Sequence, residues 1–198
     1  MKTFKSISVV IFSFIFAELA VAQNIDWPSY GGDNGSRKYI PFDQISAENV
    51  DQLTIAWTWN SVDNATVASN IADGNSTLVP GSYKVTPIVI DGVMYLPASF
   101  GRIVALDAQS GEERWVFDTK AWEAGRPANL GYNTRGVAYW EGNDKRRILF
   151  ATNDSYLWSV NAENGQPDLN FGDGGRVDLT QGLGREIDKE QYGVVSPV

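Results

Sequence analysis

Apolar and polar positions alternate along much of this chain in short runs broken by Gly, Asp and Asn, a period-two pattern that predicts strands. Residues 85–117 hold four such runs in succession. Residues 86–90 form the first, and Asp91-Gly92 supplies a two-residue hairpin turn. Residues 93–98, 102–106 and 113–117 form the others, separated by turns at 99–101 and 109–111. Four short strands joined in sequence by tight turns predict one antiparallel sheet of a meander type.

The pattern then repeats. I-V-A-L-D-A-Q-S-G-E at 103–112 aligns without a gap on L-W-S-V-N-A-E-N-G-Q at 157–166, an offset of 54 residues. The register pairs Leu106 with Val160, Asp107 with Asn161, Ala108 with Ala162 and Gly111 with Gly165. In each copy a strand ends at Asp or Asn, which opens a turn, and Gly supplies the positive φ that closes it. A period of this size predicts stacked supersecondary units. The second unit has strands at 134–140, 147–152 and 155–160, with Asn153-Asp154 as a turn. Its fourth strand is weaker, because Leu169 stands where the first copy has Trp115. The run Lys145, Arg146 and Arg147 reads as a solvated insertion in the hairpin. The expected fold class is therefore all-β, a β-propeller of four-stranded antiparallel blades, with complete blades at about 85–117 and 134–170.

Around this core the signals are more local. D-W-P-S-Y-G-G-D at 26–33 is irregular, and its two aromatics predict a segment packed onto the body. Residues 46–53 read as a short helix with Ser46 as N-cap and Ile45 and Val50 as a hydrophobic staple. Residues 54–59 place Ile55, Trp57 and Trp59 on one face of a half-buried strand. Residues 60–82 are polar and read as a loop. Residues 168–174 look superficially like a calcium loop, but Gly172 and Asp173 are exchanged relative to what that loop requires. Ser196-Pro197-Val198 resembles Thr86-Pro87-Ile88, so a further blade is expected to start there, and the chain is expected to be the N-terminal part of a longer propeller.

Composition narrows the chemistry. The 198 residues carry a formal charge of −8 and no basic block, which argues against nucleic acid as a partner. Hydrophobic content of 43% is enough for a core, and seven Trp with 19 Gly suit a turn-rich β protein. Residues 1–22 have two early Lys, a short apolar run and Ala20-Val21-Ala22, the pattern of a cleaved export leader with Gln23 as first mature residue. Cys and His are both absent, which excludes disulfides, thiolate sites and the Ser-His and Cys-His catalytic arrangements within these residues.

Four stretches together resemble one family. They are D-W-P-S-Y-G-G-D at 26–33, N-V-D-Q-L-T-I-A-W-T-W at 49–59, A-L-D-A-Q-S-G-E-E-R-W at 105–115 and N-T-R-G-V-A-Y-W at 133–140. The chain is similar to the N-terminal part of the pyrroloquinoline-quinone (PQQ)-dependent alcohol and sugar dehydrogenases, which are built on an eight-bladed propeller. The resemblance implies a periplasmic enzyme that oxidises an alcohol or sugar hydroxyl by hydride transfer to PQQ, with a cytochrome c or ubiquinone as electron acceptor. It implies Arg135 as a cofactor contact, with Thr134 beside it. Lys84 stands where members commonly have a Glu facing the cofactor, and a cation there could pair a PQQ carboxylate instead. Asn129 and Leu130 replace two adjacent Cys found in many alcohol-oxidising members, which argues against the methanol type. The Ca²⁺ ligands and the catalytic Asp of the family are expected after Val198, so no catalytic or metal residue is assigned here. A second reading is a non-catalytic propeller of the same repeat type, acting as a scaffold in outer-membrane assembly.

Overall fold

The computed structural model describes residues 26–74, 78–127, 131–189 and 191–198. The leader expected at 1–22 and the positions Asn129 and Leu130 lie outside them. Chain order begins with a helix α1 (Asp63–Ala72), then strands β1 (Pro80–Tyr83), β2 (Ile88–Ile90), β3 (Val93–Ala98), β4 (Arg102–Asp107) and β5 (Glu113–Asp118). These are followed by β6 (Tyr132–Thr134), β7 (Ala138–Gly142), β8 (Lys145–Ala151), β9 (Tyr156–Asn161) and β10 (Arg176–Asp178). Strands β2 to β5 make one antiparallel sheet in chain order, and β7 to β10 make a second. These are two four-stranded propeller blades. A short parallel pair, β1 with β6, stands apart from both.

The blades pack face to face through the side chains that alternation turns inward. Ile88, Ile90, Tyr95, Ile103 and Ala105 of the first meet Val137, Ile148, Phe150, Val160 and Ala162 of the second, all buried. Phe117 meets Trp158 edge-on at 5.3 Å between ring centres, a favoured aromatic geometry. The hairpin at Asp91-Gly92 has φ values of 48° and 73°, the left-handed pair that a two-residue turn needs.

The repeated turn is the same in both blades. Gly111 N–H donates to Asp107 O at 2.8 Å, and Gly165 N–H to Asn161 O at 2.9 Å. The Asp107 side chain accepts from Gln109 and Ser110 N–H at 3.0 Å, as Asn161 accepts from Glu163 N–H at 2.7 Å. Each Gly also leaves room for a tryptophan. Trp115 lies where a Cβ on Gly165 would come within 2.5 Å of its ring, and its indole N–H donates to Ala162 O at 3.0 Å. Trp57 lies in the same way on Gly111 and donates to Ala108 O at 3.3 Å. Trp57 therefore occupies, relative to the first blade, the place that Trp115 on β5 occupies relative to the second.

That equivalence explains a difference from the sequence reading. Residues 54–59 are not a strand, because no described strand pairs with them. Trp57 and Trp59 cover Leu96, Ala98, Val104 and Leu106 on the outer face of the first sheet, while Ile55 is 85% exposed.

Four other expectations are corrected. Residues 46–53 give only a single 3-10 turn, Val50–Gln52. The polar stretch 60–82 contains α1 and β1 rather than a loop throughout. The helix is held by tertiary contacts: Arg102 donates to Asp63 at its start, and Val67 packs on the cluster of Leu78, Phe100 and Tyr132. The basic run at 145–147 is not simply solvated. Arg146 bonds Asp91 across the blade interface and the Tyr139 hydroxyl within its own blade, and Arg147 pairs with Asp168 and lies 5.0 Å from the Trp140 ring centre. The fourth strand of the second blade falls at β10 rather than at Leu169, which is 71% exposed.

Tyr95 sits in the blade interface and donates to Ala162 O at 3.1 Å. Burial pushes its hydroxyl up to about 12, more than the Arg146 guanidinium pulls it down. A raised folded-state value favours the folded protein while the phenol is neutral, and that advantage is lost as pH rises past the unfolded value of about 10. We expect thermal stability to fall between pH 10 and about 12, and Tyr95→Phe to shrink that fall. Melting curves across this range check it.

Candidate functional site

The candidate site is built where the first strands of the blades begin. Thr86 N–H, just ahead of β2, donates to Arg135 O at 2.9 Å. A Cβ on Gly136 would stand 3.0 Å from Pro197 Cγ and 3.2 Å from Thr86 O. Glycine at 136 therefore lets three chain segments meet: the lead-in to β2, the lead-in to β7, and the segment at 196–198 that resembles the first of these. The last is tethered to the second blade, since Ser155 Oγ donates to Tyr192 O and Val194 N–H donates to Thr152 O at 3.5 Å. The three lead-ins converge along one inner side of the blades.

The opening segment closes over the same side. Trp27 exchanges two backbone hydrogen bonds with Val89 of β2, at 2.8 and 3.0 Å. Asp26 Oδ1 accepts from Asp91 N–H at 2.9 Å. A cavity of about 360 Å³ lies between residues 28–36 of this segment, Val137, Ala138 and Tyr139, and Pro197 with Val198. This segment is packed onto the body, as its aromatics lead one to expect.

The short parallel pair positions the cationic residues. Tyr83 of β1 is in register with Thr134 of β6. Lys84 and Arg135 are the next residues on the two chains. The pairing is close because position 81 is glycine: a Cβ there would stand 2.6 Å from Tyr132 O. Tyr83 fixes the end of β1 by donating its hydroxyl to Pro97 O at 3.1 Å. The residue is 53% exposed, but partial burial of its hydroxyl, and then the Asp63 carboxylate, push that hydroxyl up to about 12.

The three residues singled out in the sequence have different surroundings. Lys84 and Arg135 are exposed, and among the described residues neither makes an ion pair. Thr134 is buried, at 5% exposure, and its hydroxyl has no hydrogen-bond partner there. Successive residues of an extended chain turn to opposite sides, so Thr134 is not on the same side as Arg135. Arg135 itself lies between β6 and β7, where the single strand expected at 134–140 is interrupted. The β1–β6 pair was not visible in the sequence. Gly81 opposite Tyr132 was its one signal, and a lone Gly has many other uses.

Comparison with known proteins agrees with the propeller fold. Residues 27–198 match the family model for the glucose/ethanol/alcohol dehydrogenase β-propeller domain. The chain belongs to this family of quinoprotein dehydrogenases. It is 30% identical over 174 residues to quinoprotein glucose dehydrogenase A of Acinetobacter calcoaceticus, covering 79% of this chain and 20% of that protein. It is 32% identical over 172 residues to the quinoprotein glucose dehydrogenase of Escherichia coli, covering 80% and 20%. Among solved structures, a quinohemoprotein alcohol dehydrogenase of Pseudomonas putida superposes with a TM-score of 0.63 at 28% identity, covering 87% of this chain and 21% of that one. The chain thus spans about a fifth of the length of the curated relatives it matches.

The residues of this quinoprotein segment suit a quinone acid. Lys84 and Arg135, exposed and without ion pairs among the described residues, offer positive charge beside the closely packed backbone at Gly136. Among the described residues no three acidic side chains come together as a metal site. Asp168, in the stretch that superficially resembles a calcium loop, is engaged by Arg147 and by Lys145 at 3.8 Å.

Proposed function

We propose that this chain forms the N-terminal part of a periplasmic PQQ-dependent dehydrogenase that oxidises an alcohol or sugar hydroxyl. The observation that carries the reading is Arg135: an exposed arginine, free of ion pairs among the described residues, held where the blades' first strands converge. When bound, PQQ supplies a quinone able to accept hydride from the carbinol carbon. The part of this chain is to hold and orient. The Arg135 guanidinium is a planar fork of donors that matches two neighbouring carbonyl oxygens. The backbone of Thr86 fixes where that fork starts, by its bond to Arg135 O.

Calcium, as a Lewis acid at the quinone, is proposed to be held by residues other than those described here. Export to the periplasm rests on the leader pattern at 1–22. The electron acceptor is proposed to be a cytochrome c or ubiquinone. Reconstitution of the full-length protein with PQQ and Ca²⁺ tests the reading. Dye reduction driven by alcohols or aldoses is the expected result, and absence of both PQQ binding and turnover would contradict it.

A further inference from the structure

We propose that Lys84 and Arg135 act as a two-cation clamp for one carboxylate edge of the bound quinone, so that the site selects the cofactor by its negative charge. This rests on the PQQ reading above and goes further, by naming which part of the ligand Lys84 recognises and why a lysine serves there.

Three observations carry it. The first is register. Tyr83 pairs with Thr134, so Lys84 and Arg135 are the next residues on two neighbouring segments. The second is that this proximity is imposed by the backbone. Gly81 presses β1 against Tyr132 O, Tyr83 is anchored on Pro97 O, and Thr86 N–H bonds Arg135 O. Two positions of like charge are thereby placed on adjoining backbone segments.

The third is the lack of local compensation. Residues 78–90 and 131–140 contain no Asp or Glu, in a chain whose net charge is −8. Several cations elsewhere are matched, with Arg37, Arg102, Arg114, Lys120, Arg146, Arg147 and Lys189 lying against carboxylates, while Lys84 and Arg135 have no ion pair among the described residues. A pair of cations left unmatched on a backbone built to juxtapose them is a site for an anion. PQQ presents carboxylates on the same planar frame as its quinone oxygens. Arg135 can address the planar oxygens with its fork, while the compact, mobile ammonium of Lys84 meets a carboxylate as a point charge. The clamp predicts affinity that falls as salt rises, because exposed charges are screened.

The test titrates full-length wild type, Lys84→Gln, Lys84→Glu and Lys84→Arg with PQQ and with its trimethyl ester, following cofactor absorbance. The expected result is a preference of wild type for PQQ over the ester of at least about tenfold, the size of one charge-assisted hydrogen bond. Lys84→Gln should lose most of that preference, Lys84→Glu should lose more, and Lys84→Arg should keep it. Melting temperatures should be alike, since Lys84 is exposed. If PQQ binds all four proteins equally, with the same discrimination against the ester, the clamp is wrong while the PQQ reading stands. If wild type binds neither compound, the PQQ reading fails and the clamp fails with it.

Discussion

Arg102→Ala is expected to destabilise the fold by about 3–5 kcal/mol, the typical result of removing one partner of a buried ion pair. Asp63 opens α1 and is 2% exposed, and Arg102 opens β4 and is 8% exposed. Arg102 Nη1 donates to Asp63 Oδ1 at 2.5 Å, Nη2 to Thr66 Oγ1 at 2.8 Å and Nε to Asp118 Oδ2 at 3.1 Å. Phe100 N–H also donates to Asp63 Oδ2 at 3.1 Å. One guanidinium thus ties the helix, the β3–β4 turn and the end of β5 together. Removing it leaves the Asp63 carboxylate buried with, among the described residues, the Phe100 N–H as its donor.

Lysine should not rescue the variant, because one ammonium lacks the fork that reaches three partners at once. Asp118 adds an acid dependence. Burial pushes its carboxyl up, but the Lys120 N–H and the Arg102 guanidinium outweigh this and hold it below the usual range. Stability from that group is present above the unfolded value and is lost as pH falls through the folded one. Urea unfolding of wild type and Arg102→Ala at neutral pH reads the main effect. A midpoint shift worth less than about 1 kcal/mol would place the pair among solvent-screened ones.

Arg135→Ala is expected to weaken PQQ binding to the full-length protein by about 10- to 100-fold, the worth of one or two charge-assisted hydrogen bonds. Stability should move by less than about 0.5 kcal/mol, because an exposed side chain with no ion pair contributes little to folding. The contrast between the two arginines is the point. Arg102 is saturated with partners, and Arg135 makes none among the described residues. Arg135→Lys should recover only part of the affinity, since an ammonium keeps the charge but not the fork. Equilibrium titration with PQQ reads the first effect and thermal unfolding the second. An unchanged affinity would remove the proposed role of Arg135.

The blades were legible because their signals are local and repeated. Alternation gave β2 to β5 within a residue or two at each end. The aligned Asp107/Asn161 and Gly111/Gly165 gave the shared turn, and both copies adopt the same backbone bonds. What escaped depended on contacts distant in sequence. D-N-A-T-V-A-S-N-I-A carries little intrinsic helix signal, and α1 is held by Arg102, 39 residues after Asp63. The β1–β6 pairing joins Pro80 to Tyr132, which no short-range pattern encodes. The run at 54–59 has strand alternation but no described strand beside it, so its tryptophans dock without a ladder. At the site the residue types were readable while their surroundings were not: Thr134 and Arg135 are adjacent in sequence, yet one is buried and the other exposed.

The central claim is that the blades' first strands converge on a quinone held by Arg135. A structure of the full-length protein crystallised with PQQ tests it most directly. The account predicts the guanidinium of Arg135 within about 3 Å of quinone oxygens, ordinary hydrogen-bond range. PQQ bound elsewhere, or bound with Arg135 directed into solvent, would contradict it.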